Sequence, residues 1–337
     1  MSTAIEWTDR SWNPVRGCWP ISPGCTNCYA MKQAHRFSAL GQPYAGLTRM
    51  TAGGPVWTGD VVTLPHKVAE PLTWRKPSWV FVNSMSDLFH ENIVDNFIID
   101  VYAVMVAAWW HTFQVLTKRP ARRFLHLTDS AFRLAVGERA AAHINKLRGP
   151  LSWAATVNLA AWHAGEVPNI WEGVSVEDQH AFDTRLGALL LAPAAVRFLS
   201  CEPLLEPLSI APWLSRRSDG RGVDWVIIGG ESGVGARPCQ IDWIIDLVRD
   251  CQRADTAVFV KQLGAKPDGW CVNRLLDTHF DYAAHFCDIS EASEGSHCGN
   301  RCAFLVDKKG GDPAEWPIEC RVRQFPKVAT DQQRPVA

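Results

Sequence analysis

The sequence predicts an α/β protein whose parallel strands curl toward a barrel, and three observations predict it. Six short runs of apolar, β-branched or aromatic residues start at positions 79, 112, 170, 196, 224 and 257. The starts are 33, 58, 26, 28 and 33 residues apart, close to the ~30 residues of one strand–helix–strand unit. Stretches with helical periodicity fall between them, and every run is followed by polar residues. Such alternation requires a parallel sheet covered by helices. An open doubly wound sheet gathers its functional groups at one switch point, whereas a barrel collects them from every strand at one mouth.

The elements follow in order. Run 79–83 leads into Ser84, Ser86 and Asp87, and run 112–116 into Thr117, Lys118 and Arg119. Runs 170–174 and 196–199 lead into Ser175 and Glu177 and into Ser200, Cys201 and Glu202. The last two, 224–228 and 257–260, deliver Gly229, Gly230, Glu231 and Ser232 and then Lys261 and Gln262. One such residue is an ordinary cap or turn; six sets in succession match a barrel mouth. Helices are expected over 96–110, 121–127, 179–191 and 242–253, the last with Ile244, Ile245, Leu247, Val248 and Cys251 on one side. Residues 41–78 are rich in Gly and Pro and read as a loop-rich connection, and the Ala-rich stretch 129–168 as a helical insertion. The prediction is a partial (β/α)6 TIM-type barrel over 1–266, followed by an irregular Cys-rich C-terminal cap over 267–337.

Composition narrows the function classes. Of the 337 residues, 47% are hydrophobic and 20% charged, the balance of a folded globular chain rather than a disordered or fibrous one. The longest apolar run, 101–110, is too short to span a bilayer, and the first twenty residues carry Glu6 and Asp9 without an apolar stretch. A cytoplasmic protein that engages no membrane is expected. Lys and Arg total 34 against 35 Asp and Glu, so any nucleic-acid contact has to come from a local patch. Sixteen tryptophans could offer stacking surfaces for a base, but Trp79, Trp153 and Trp225 lie in segments that read as core.

Eleven cysteines, an odd number, in a chain without a secretory signature point to metal or chemistry rather than disulfides. Cys18, Cys25 and Cys28 share one Pro- and Gly-punctuated loop before the helix-compatible stretch 29–40. Three thiolates without a nearby fourth can hold an iron-sulfur cluster with one iron left open, or zinc completed by a distant ligand. A helix starting just after Cys28 would stabilise thiolate charge. In the tail, Cys271, Cys287, Cys298, Cys302 and Cys320, with His285 and His297, supply ligands for zinc or a second cluster, and Cys287, Cys298 and Cys302 form the candidate second site.

The runs IEWTDRSWNPVRGC, SPGCTNCYA, FVNSMSDLFHE, FQVLTKRP, WEGVSVEDQ, FLSCEPLLEPL, DWVIIGGESGVGARP and KQLG, between residue 5 and about 264, together resemble a family of radical-SAM-like phage and prophage proteins defined by a three-cysteine motif. The resemblance implies a barrel of the radical-SAM kind in which Cys18, Cys25 and Cys28 hold a 4Fe-4S cluster and S-adenosylmethionine binds its open iron. Reductive cleavage would then yield a 5'-deoxyadenosyl radical, with the cofactors carrying the chemistry. The spacing here, C-x6-C-x2-C, departs from the common C-x3-C-x2-C, with Asn27 before the last cysteine and Tyr29 after it. Tyr29 is the candidate for the adenine contact. The usual Gly-Gly-Glu follows the second barrel strand, whereas Gly229, Gly230 and Glu231 follow a late one.

Around the presumed mouth, Asn83, Ser84, Ser86 and Asp87 are candidates for the ammonium or ribose of the cofactor, with an N-cap as the other reading of Asp87. Ser175, Glu177 and Glu231 are further candidates for cofactor binding. Lys118 suits a carboxylate or phosphate, and Glu202 could move protons. Cys201 either returns a hydrogen atom to a product radical or is a buried small apolar residue. The expected function is radical-SAM modification or isomerisation of a base, for instance a hypermodified thymidine, in phage DNA. A flavodoxin or ferredoxin would serve as electron donor in the host cytoplasm. The contrasting expectation is a zinc-stabilised DNA- or protein-binding module without catalysis.

Overall fold

Seven strands lie side by side in one parallel sheet, in the order in which they occur along the chain. They are β1 (Arg10–Trp12), β2 (Trp79–Val82), β3 (Thr112–Thr117), β4 (Ile170–Ser175), β5 (Val196–Cys201), β6 (Trp225–Gly229) and β7 (Ala257–Gln262). This computed structural model describes residues 3–165, 167–214, 220–268 and 307–327. Chain order without reversal is the winding of a barrel, and the sheet curls into a half-barrel. The strand absent from the sequence prediction is β1, paired through Arg10 to Val80, Ser11 to Phe81 and Trp12 to Val82. The six-unit prediction therefore becomes seven strands.

Helices α1 (Tyr29–His35), α2 (Asp95–Ala107), α3 (Pro120–Thr128), α4 (Ser130–Ile144), α5 (Pro150–Ala164), α6 (Gln179–Leu191) and α7 (Ile241–Arg253) lie in the connections. The insertion expected over 129–168 contains α4 and α5. Apolar residues surround α2 on all sides, so it is buried almost throughout, against the sheet on one side and α4 and α5 on the other. By contrast α7 buries only the stripe Ile241, Ile244, Ile245, Leu247, Val248 and Cys251. Asp129 and Asp178 cap α4 and α6 by accepting the amides of Ala131 at 3.0 Å and Ala181 at 2.7 Å. The connection 41–78, expected to be mostly loop, holds a hairpin of Thr48–Thr51 and Gly54–Trp57 packed on α1.

Successive side chains point to opposite faces of a strand, which separates the barrel interior from its outer layer. Trp79, Phe81, Trp171, Phe198, Trp225, Ile227 and Phe259 form one aromatic cluster with Trp7 on the concave face. Ring centroids of Trp7 and Phe81 lie 4.7 Å apart, and those of Trp79 and Trp171 4.9 Å. Gly173 has no side chain because the Phe198 ring fills that space: a Cβ there would lie 2.3 Å from the ring. The floor is completed by Phe325, stacked edge-on against Trp79 at 4.8 Å. Removing Trp225, fully buried at the centre of the cluster, should cost about 3–5 kcal/mol. Trp153, read as core, is 74% exposed on α5, because that helix turns a second, outward face to solvent.

Residues 307–327 join the same body. Val260 donates its amide to Val322 and Gln324 donates to Val258, each at 2.8 Å, so this segment covers the free edge of β7. Cys320 and Trp316 are buried in the apolar layer outside β5–β7. Cys271, Cys287, Cys298, Cys302, His285 and His297 lie outside the described residues.

Candidate functional site

The three-cysteine loop is the connection leaving β1. It runs from Asn13 to Cys28, where α1 begins. Because the strands are parallel, this loop emerges at the same end of the sheet as the polar residues that follow β2 to β7. It lies across those strand ends and is tied to four of them.

The end of β2 holds the loop's entry. Asn13 and Ser84 bond through their side chains at 3.2 Å, the Met85 amide donates to Asn13 Oδ1 at 3.1 Å, and Ser86 Oγ donates to the Val15 carbonyl at 3.1 Å. Tyr29 reaches back from the start of α1 and donates its hydroxyl to the Ser84 carbonyl at 2.7 Å. From the end of β3, Arg119 Nη2 donates to the Trp19 carbonyl at 3.3 Å. At the end of β6, Asn27 Nδ2 donates to Glu231 Oε2 at 2.9 Å and to the Gly235 carbonyl at 3.0 Å. Arg237 grips Glu231 through Nη2 at 2.6 Å and Nε at 3.0 Å, while its Nη1 donates to the Pro23 carbonyl at 2.9 Å.

The end of β4 carries the tightest electrostatic knot. Glu177 is fully buried, accepts Lys118 Nζ at 2.8 Å and Arg185 Nη1 at 2.9 Å, and lies under the backbone of Gly24. Burial alone would raise its carboxyl, but Lys118 and Arg185 outweigh it, with help from Ser22 in the cysteine loop, and hold the group at about 2. A second pair, Lys261 to Glu202 at 2.6 Å, stands over Gly229 on the far side of the mouth.

These contacts give protein partners to several residues expected at the cofactor. Asp87 has no oxygen left over: Oδ1 accepts Thr117 Oγ1 at 2.7 Å and the Phe89 amide at 3.0 Å, and Oδ2 accepts the Lys118 amide at 3.0 Å and Arg119 Nη1 at 3.2 Å. It joins the ends of β2 and β3, and caps a turn rather than a helix. Glu231 is likewise saturated by Arg237 and Asn27, which offset its burial and place its carboxyl below the usual range. Ser84 and Ser86 clasp the loop. Lys118 and Glu177 neutralise each other beneath it.

Cys201 does not fit the hydrogen-donor role. It shares strand parity with Leu199, whose side chain belongs to the outer apolar layer, and it is fully buried there between the sheet and α7. Burial pushes its thiol well above the ordinary range, and the mouth is on the opposite face of β5. Glu202, the next residue, does turn inward, as its pair with Lys261 shows. Ser175, with the parity of Trp171 and Gly173, also belongs to the inner row.

Asn83 differs from the residues just described. It continues the inward row Trp79, Phe81, Asn83 and is 3% exposed. Both polar atoms of its side chain lack a partner, and its backbone is held at φ +61°. An amide buried without a bond costs about 1–3 kcal/mol, and a left-handed non-glycine residue adds to that. A group in that position is open to a bond from a ligand or an ordered water.

Among the described residues no three His, Cys, Asp or Glu side chains converge as a metal-ligating set. The loop carries three thiols on one segment, the donor type of soft-metal and iron-sulfur sites. Burial pushes the Cys18 thiol up to about 12, with Asp87, Cys28 and Cys25 adding in the same direction against Arg119. Burial also raises Cys28, while the amides of Met31 and Ala30 at the start of α1 act the other way. Cys18 and Cys28 therefore carry their protons when no metal is bound and would release them on binding one.

Sequence reasoning missed Arg185 and Arg237 as partners of Glu177 and Glu231, although both lie on the same connection as the acid they hold. It also missed Asn27 as the link to Glu231. No helix in the described residues is long and apolar enough to cross a membrane. Residues 2–303 match the profile of a family described as "Protein of unknown function (DUF5131)". No curated protein and no solved structure matches the chain.

Proposed function

The chain belongs to the DUF5131 family, and we propose that it is a radical-SAM enzyme. In this reading Cys18, Cys25 and Cys28 hold a 4Fe-4S cluster, and the half-barrel mouth receives S-adenosylmethionine. The observation that carries it is topological. The cysteine loop leaves the first strand of a chain-ordered parallel sheet and rests on the polar ends of the strands that follow. When bound, cluster and S-adenosylmethionine supply a carbon-centred radical able to take hydrogen from an unactivated position.

The chain's own groups bind and orient. Asn83 offers one amide donor and one carbonyl acceptor to the bound ligand, the two atoms that have no partner in the protein. Lys118, Glu177 and Arg185 fix the underside of the loop at Gly24, and Glu231, Arg237 and Asn27 fix its far end. Glu202 and Lys261 form a salt bridge that is partly accessible in the mouth, where each can hold an opposite charge on a substrate or pass a proton to it. The aromatic floor excludes water from below.

For substrate we favour a base in phage DNA, modified or isomerised, of the hypermodified thymidine kind, with a flavodoxin or ferredoxin as electron donor in the host cytoplasm. This rests on the motif resemblance. A second metal, zinc or iron-sulfur, at Cys287, Cys298 and Cys302 belongs to the same reading.

The test is anaerobic purification, reconstitution with iron and sulfide, and assay for a brown chromophore and for 5'-deoxyadenosine from S-adenosylmethionine. Cys25→Ala should abolish both. Stoichiometric zinc with no cleavage would replace the enzyme by a zinc-stabilised binding module.

A further inference from the structure

The whole span from residue 10 to residue 59 contains Arg10, Arg16, Lys32, Arg36 and Arg49 and not one acid, so all 35 Asp and Glu lie elsewhere in a chain whose charges balance only when this span is counted. The span is the cysteine loop, α1 and the hairpin that packs on α1. Its small core is Ala30, Met31, Ala34, Leu47 and Trp57, with Cys18 and Cys28 packed against that core. The cationic lobe and the cysteines are therefore one body at the barrel mouth.

The same span also exposes apolar rings to solvent. Trp19 and Tyr29 are each 52% exposed, and Phe37 is 45% exposed. Tyr29 is anchored through its hydroxyl at Ser84, which leaves its ring edge outward. The Trp19 ring lies against Gly59, where a Cβ would come within 2.7 Å of it, so the indole is held in place rather than free. Arg16 lies 5.3 Å over the Tyr44 ring, and Arg36 and Arg49 are exposed. None of Arg16, Lys32, Arg36 and Arg49 forms an ion pair among the described residues; Arg16 and Lys32 donate to the carbonyls of Pro43 and Val234.

Held aromatic rings interleaved with unpaired cations are the elements of a single-stranded nucleic-acid platform: rings stack on bases of any sequence, and cations neutralise phosphates. We infer that the α1–hairpin lobe is a docking surface for a single polynucleotide strand, which presents a base to the adjacent mouth. Taking a base out of a duplex exposes just such a strand. The inference deepens the proposed function and rests on its nucleic-acid substrate. An acidic redox protein would also be drawn to the cations, but it has no use for the exposed rings.

The test is fluorescence anisotropy of a labelled oligothymidylate of about twenty nucleotides titrated with the full chain at low salt. Binding should weaken steeply as salt rises, Arg36→Glu with Arg49→Glu should weaken it about tenfold, and Trp19→Ala should weaken it while leaving the salt slope unchanged. Unaltered melting temperatures confirm that both variants, changed only at exposed positions, stay folded. Absence of binding, binding indifferent to both variants, or loss in the double variant of affinity for an acidic flavodoxin but not for the oligonucleotide overturns the inference. Formation of 5'-deoxyadenosine without added oligonucleotide reports on the radical-SAM reading separately, so either can fail alone.

Discussion

Lys118 Nζ lies 2.8 Å from Glu177 Oε2, and Gly24 covers both so closely that a Cβ there would come within 3.0 Å of Glu177 and 3.1 Å of Lys118. The carboxyl, held at about 2 against an ordinary 4.5, contributes stability that is fully present above about pH 4.5 and is lost as pH falls toward 2. A shift of that size corresponds to about 3 kcal/mol. Urea denaturation between pH 6 and pH 2.5 should show this acid limb, and Glu177→Gln should flatten it while lowering stability at pH 7, because Lys118 and Arg185 lose their counter-charge. Identical acid limbs in both proteins would show that the pair carries no such energy.

Asn83 combines an unpartnered buried amide with φ +61°. Glycine suits that backbone and removes the orphaned group, so Asn83→Gly should leave the melting temperature unchanged or raise it. The same change should weaken S-adenosylmethionine binding about tenfold by isothermal titration of the reconstituted protein, the loss of one or two hydrogen bonds. A stability gain with unchanged affinity would mean that the amide meets no ligand.

The strands that sequence reading located, β2 to β7, are buried on both faces, and such strands read as continuous apolar runs. That same property hides which face each residue takes. Nothing in FLSCEP tells the outward Cys201 from the inward Ser200 and Glu202, because both faces of β5 are apolar lower down. The first strand escaped notice since three residues, Arg10, Ser11 and Trp12, carry no pattern, yet it places the cysteine loop. The three cysteines and the polar strand ends were legible from spacing alone. Their ion-pair partners were not, since Arg185 and Arg237 lie on the following helix and loop, and only the fold brings them back.

Cys201 is fully buried in the apolar layer behind β5. Cys201→Ala should therefore cost about 1 kcal/mol of stability through the lost volume and leave both 5'-deoxyadenosine formation and product yield unchanged. Product formation that slows while cofactor cleavage continues would restore the hydrogen-donor role.

Behind β4, Glu172 accepts Tyr102 Oη at 2.9 Å and lies 3.3 Å from Arg123 Nη1, all three buried between the sheet and α2 and α3. Burial outweighs Arg123 and raises the carboxyl from 4.5 to about 7. A group that holds its proton more tightly when folded contributes stability that is full below about pH 4.5 and lost as pH rises through about 7. Stability measured in urea should thus fall by up to about 3 kcal/mol between pH 4.5 and pH 8. Glu172→Gln, which keeps an acceptor for Tyr102 but cannot ionise, should remove that slope without touching the acid limb set by Glu177. A downward slope that persists in the variant would assign it to a group other than Glu172, and not to His111, whose imidazole burial lowers to about 4. His111 would add stability as pH rises, the opposite sign, so the two are separable in one titration.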